Sequence, residues 1–282
     1  AAQPLALAEA ARRHGGPVLA VAGSPQQAAA LQEAVAFFLD GQGEVLGFPD
    51  WETLPYDVFS PHQDIVSERL AALYRLPSLE AGVLIVPAAT LMQRLPPRGW
   101  LEGRTMLLRV GERLDLEEMR RRLEAGGYRC VPEVGEHGEF AVRGALLDLF
   151  PMGGDTPYRI DLFDDEVESL RRFDPETQRT TSQVEAIELL PAQEMPTDDD
   201  GIARFRQAFR AEFEGDPSRS AVYRAVSEGR LRGGIEYYLP LFFEQTATLF
   251  DYLPASTLAV RTAGIDEAAE AHWRPIEQRH EQ

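Results

Sequence analysis

Between residues 128 and 190 the hydrophobic period of the chain shortens to two, and this change limits the fold more than any other feature. Five short runs, 139–143, 145–150, 158–163, 166–173 and 183–190, are punctuated by Gly138, Gly144, Gly153-Gly154 and Asp174-Pro175. Short runs joined by tight turns describe an antiparallel meander. The flanking sequence reads differently. Before it, the apolar runs 17–22, 44–48 and 83–86 alternate with helical spacing at 26–39 and at Ile65, Leu70, Leu73 and Leu76, which predicts a parallel sheet covered on both faces. Residues 105–110 and 114–125 predict a strand and a helix leading into the meander, with Gly126-Gly127 ending the helix. After Pro196, an apolar stripe of Ile202, Phe205, Phe209 and Phe213 follows Asp198-Asp199-Asp200, with the acids at the helix start. A short helix at 219–229, a strand at 258–260 and a polar helix from 265 complete the pattern. The expected class is α/β, with parallel lobes interrupted by an inserted α+β domain that contains an antiparallel sheet.

Composition narrows the chemistry. Of 282 residues, 44% are apolar and 26% charged, as in an ordinary globular chain. Asp plus Glu number 46 against 28 basic residues, and every one of the 28 is Arg, for a net charge of −18. Without Lys the chain has no P-loop lysine, no Schiff-base lysine and no lysine base. Such acidity also makes a poor non-specific binder of nucleic acid, which needs clustered positive charge. Cys130 has no partner for a disulfide, and its apolar strand-like setting predicts a buried structural thiol in a reducing, cytoplasmic compartment. No run is long and apolar enough to span a membrane, and the N-terminus lacks a signal-peptide pattern. A start at Ala1 without Met reads as a fragment of something longer.

The first strand-to-helix turn, Gly23-Ser24-Pro25, sits where phosphate binders place a glycine-rich loop. Only Gly23 and Ser24 match that pattern; the second Gly, the Lys and the Mg²⁺-binding hydroxyl are missing. A helix N-cap accounts for it better than a nucleotide site. Asp198-Asp199-Asp200 point about 100° apart on a helix and cannot close on one ion. His14, His62, His137, His272 and His280 have no zinc spacing, and His62 reads as a helix start. No catalytic residue, metal site or cofactor is expected.

What remains is surface. Residues 133–176 hold twelve acids and four Arg (Arg143, Arg159, Arg171, Arg172). Phe140, Phe150, Tyr158, Phe163 and Phe173 lie on the same strands; Phe150 and Phe173 fit a core, while core and surface fit Phe163 equally. Arg and aromatics on an open sheet face suit protein recognition.

Two runs carry a resemblance: FPDWETLPYDVFSPHQDIVSERL (48–70) and EHGEFAVRGALLDLFPMGGDTPYRIDLFDDEVESLRRFD (136–174). Together with VLIVPAATLMQR (83–94) and GIEYYLPLFF (234–243), they resemble the N-terminal region of the bacterial transcription-repair coupling factor family (Mfd). The second run is also similar to UvrB, which shares E-Y/F-x-x-R-G-x-x-x-D-x-F-P. The resemblance implies a UvrB-like fold: residues 1–66 as an α/β lobe with a degenerate P-loop-type turn, 105–191 as the inserted domain, and 67–104 plus 192–282 as a second lobe. It implies that the inserted domain binds UvrA, with Arg143, Arg159 and Phe163 as contacts and Asp161, Asp164, Asp165 and Glu166 steering a basic partner surface. It further implies a non-catalytic adaptor that brings excision repair to stalled RNA polymerase. ATP, RNA polymerase and DNA would be handled by other regions of the longer protein, with no nucleic acid bound by this part. Two other readings stay open: a residual nucleotide-binding, helicase-like lobe, and an autoinhibitory module whose UvrA-binding face is masked in the full-length protein.

Overall fold

The computed structural model describes residues 2–280, and among these twelve strands, numbered β1 to β12 in chain order, form three sheets. The first contains β1 (Pro17–Ala22), β2 (Glu44–Gly47), β3 (Gly82–Pro87) and β12 (Leu258–Arg261), all parallel in the order β12-β1-β3-β2. Val18, Ala20 and Ala22 face one way and pack with Leu7 and Ala11 of the helix Ala2–His14 and Leu31 and Val35 of the helix Pro25–Leu39. Leu19 and Val21 face the other way, onto Val66, Leu70 and Leu73 of the helix Gln63–Arg75. With both faces covered, every residue of β1 and β3 is buried, which explains their unbroken apolar runs.

The sheet does not respect the expected division at residue 66. β3 pairs with β1 through Leu19 and Leu84, and β12 pairs with its other edge through Leu19 and Ala259. Residues assigned to the second lobe therefore complete the sheet of the first. A long apolar strand such as β3 needs partners on both edges, and β1 and β2 supply them. What stands apart is a small helical unit: Asp199–Glu212, Ala221–Ser227 and the 3₁₀ helix Ile235–Phe242 share Phe205, Phe209, Tyr223 and Phe242.

The second sheet runs β10-β9-β8-β7-β6-β5: β5 (Arg129–Cys130), β6 (Glu139–Arg143), β7 (Leu146–Leu149), β8 (Tyr158–Phe163), β9 (Glu166–Phe173) and β10 (Thr180–Val184). It is the expected antiparallel meander, except that β5 pairs parallel to β6. The run expected as one strand at 183–190 divides. β10 ends at Val184, and β11 (Ala186–Leu189) leaves to pair with β4 (Met106–Arg109) in a third sheet. Cys130 is exposed rather than buried, because β5 is a two-residue edge strand that buries neither of its side chains.

One face of the meander is apolar. Phe140, Leu147, Leu149, Ile160, Leu162 and Leu170 pack with Met119 and Leu123 of the helix Leu116–Ala125, in a cluster that continues into the first sheet. A buried ion pair ties the two regions together. Arg69 and Glu194 meet through Nε–Oε1 at 2.5 Å, Trp51 Nε1 donates to the same carboxylate at 3.1 Å, and the guanidinium lies over Phe48 and Trp51. His137 adds a second tie, its two ring nitrogens 2.7 Å from Asp64 Oδ1 and from the Gly154 carbonyl. Among the described residues, no helix is long and apolar enough to cross a membrane.

Candidate protein-docking surface

Strand alternation sorts the meander. Residues 140, 147, 149, 160 and 170 face the core, so Arg143, Asp148, Arg159, Asp161 and Arg171 share the opposite face, where Asp148 pairs with Arg159 and Arg159 with Arg171 in the ladder. One end of that face is closed by Val134, Ala141, Phe150 and Phe173, which confirms Phe150 and Phe173 as core residues. The other end is open.

Asp148 lies at the centre and is 1% exposed. Its carboxylate accepts from Arg159 Nε at 2.8 Å and Nη2 at 2.9 Å, a two-pronged fork, and also from Arg143 Nη2. Arg159 is 17% exposed and Arg143 46% at their side chains. The Asp148 bonds hold the Arg159 guanidinium more firmly protonated, against the opposing effect of burial, and its Cζ lies 5.0 Å from the Phe173 ring centre. A second pair sits beside the first: Asp161 accepts from Arg171 and from Ser169 Oγ at 2.7 Å.

Phe163 ends β8 and is 69% exposed, resolving the ambiguity of the sequence in favour of surface. It pairs with Glu166 across a turn whose first residue, Asp164, takes a left-handed φ of 53°. The turn is held from behind: Leu114 N donates to the Asp165 carbonyl at 2.7 Å, and Arg113 Nε lies 3.8 Å from the Asp165 carboxylate.

Arg143, Arg159, Asp161 and Phe163 therefore share one face, with Asp164, Asp165 and Glu166 at its tip. Asp161 differs from the free steering charge expected of it, because Arg171 already pairs with it. Asp148 is the member of this face that sequence reasoning missed, while Arg171 stood among the four arginines without a role of its own. The signal was present: Asp148 lies two strand positions from Phe150 within an apolar run, where a lone acid needs a cation opposite it.

The turn at Gly23 and Ser24 is closed on itself. Ser24 Oγ caps the helix Pro25–Leu39 by accepting from Gln27 N, and the Gln27 side chain folds back to accept from Gly23 N at 3.1 Å. Asp198 likewise caps the helix Asp199–Glu212, and His62 caps Gln63–Arg75. Among the described residues, no three His, Cys, Asp or Glu side chains gather as a metal would need.

Residues 106–195 match the family described as the UvrB interaction domain. Over 94% of its length the chain is 51% identical to the transcription-repair-coupling factor of Escherichia coli (strain K12), covering 23% of that protein. It is 52% identical to the Haemophilus influenzae factor over 85% of the chain and 21% of that protein. To the Myxococcus xanthus factor it is 35% identical, over 96% of the chain and 24% of that protein. The chain thus spans less than a quarter of the length of each of these relatives. Together these matches place it in the UvrB-homology region of the transcription-repair coupling factor family, with a UvrB interaction domain over residues 106–195.

Proposed function

We propose that this chain is a non-catalytic adaptor that binds UvrA through the open end of its six-stranded sheet and thereby brings nucleotide excision repair to stalled RNA polymerase. The observation that carries the reading is Phe163, exposed at the end of β8 beside two arginines that a buried carboxylate holds in place, within the residues that match the UvrB interaction domain. An apolar ring flanked by forked donors is the composition of an interface centre. Arg143, Arg159 and Phe163 make the contacts, while Asp164, Asp165 and Glu166 at the turn steer a basic partner surface. Asp161 works indirectly, by fixing Arg171.

In this reading the Gly23-Ser24 turn is a degenerate P-loop in a lobe of nucleotide-binding ancestry, and the chain needs no cofactor. The Gly23 amide that a phosphate would take is already engaged by Gln27, which weighs against a residual nucleotide site. ATP, RNA polymerase and DNA are left to other regions of the longer protein, which works in the cytoplasm. Titration of purified UvrA with the chain tests the central point. Saturable binding by wild type and a loss of at least about tenfold for Phe163→Ser agree with it. Equal binding by a folded Phe163→Ser variant contradicts it.

A further inference from the structure

Asp148 is buried beneath the arginines of this face. Three N–H groups converge on its carboxylate, two from Arg159 and one from Arg143. Two guanidiniums share one anion, so the group keeps one positive charge in excess. Arg159 is further fixed by the Phe173 ring and by a 3.4 Å contact from Nη1 to the Gln178 carbonyl. Unpaired arginines on a surface sample many rotamers and lose that freedom when a partner binds. These two are instead both tied to one buried carboxylate.

We propose, building on the UvrA-docking reading, that Asp148 is the positioning residue of the docking face. It anchors Arg143 and Arg159 from below with their unshared N–H groups toward solvent. It also sets the surplus at one charge, so the face selects a partner carboxylate adjoining an apolar socket for Phe163. The strand register supports this geometry: Arg143 lies opposite Leu146, Leu146 opposite Asp161, and Phe163 two residues beyond Asp161. A partner surface must therefore present its acid and its socket side by side.

Positioning and simple counter-charge give effects of opposite sign. If Asp148 only neutralised, removing it would expose a second positive charge and tighten binding to an acidic partner site. If it positions, Asp148→Asn turns one acceptor into a donor facing arginine N–H groups, the fork loosens, and UvrA binding weakens by at least about tenfold despite the added positive charge. The same loss should vanish in an Arg143→Ala/Arg159→Ala background, because Asp148 acts only through those side chains.

The experiment measures UvrA affinity for wild type, Asp148→Asn, the double arginine variant and the triple variant, with thermal melts to verify folding. Weaker binding by Asp148→Asn and no further loss in the triple variant is the expected result. Binding as tight as wild type or tighter, or an additive loss, overturns the role of Asp148 while leaving the docking reading intact. A wild-type chain that does not bind UvrA overturns the docking reading and this proposal with it. If Asp148→Asn does not fold, the free wild-type chain still decides: a distinct, slowly exchanging Arg159 Nε–H resonance is expected, and one averaged with the exposed arginines overturns pre-ordering.

Discussion

Arg69 and Arg159 put the same side chain to different uses, and burial separates them. Arg69 is fully enclosed with Glu194 and ties the loop carrying Phe48 and Trp51 to the segment after β11. Removing one partner strands a buried charge, so Glu194→Ala is expected to cost about 3–5 kcal/mol in a denaturant titration. Arg159 is held as firmly on one side but faces solvent on the other. Charge reversal there sets a second carboxylate against buried Asp148, so Arg159→Glu is expected to lower the melting temperature as well as affect binding. Phe163 is the clean probe: mostly solvent-facing, it should tolerate Ser with a stability change within about 0.5 kcal/mol. The arginines and Phe163 were legible because their residue types stand out in an acidic stretch. Asp148 was not, because its meaning lies in Arg159 on the neighbouring strand, 11 residues away in sequence.

Helix ends were the most legible elements, since capping is a local bargain between a side chain and the next few amides. Ser24, His62 and Asp198 all cap the helices they precede. Ser24→Ala is expected to cost about 1 kcal/mol, read by thermal or chemical denaturation. Strand partners were less legible. The break between β10 and β11 leaves no trace in hydropathy, because Ile187 and Leu189 are apolar whichever sheet they join. The 3₁₀ helix Ile235–Phe242 hides another feature, Glu236, buried with its Oε2 unpartnered. Burial pushes its carboxyl above the ordinary value of 4.5, outweighing a bond from Ser60. A raised value means the protonated form suits the folded state, so its contribution is complete below 4.5 and lost as pH climbs through the raised value. Glu236→Gln, which cannot ionise, should therefore melt higher than wild type at pH 7, with the gap closing toward pH 4.5. A gap that grows on acidification would contradict this.

Across the whole molecule, the net charge of −18 is unevenly placed, and the proposed docking face combines a small local surplus of positive charge with an acidic rim. The inserted domain also belongs to the rest of the fold: its core cluster runs on into the parallel sheet, and Arg69–Glu194 and His137–Asp64 bridge the two. Alternating texture announced both sheets, yet nothing local told that β12, from the far end of the chain, would complete the first one. The central claim is that one face of the meander is where UvrA docks. Backbone hydrogen exchange of the chain with and without saturating UvrA tests it most directly. Protection gathered on residues 142–147 and 158–167 is the expected result. Protection confined elsewhere, for example to the exposed apolar residues Tyr56, Val58, Phe59 and Phe213, would contradict it.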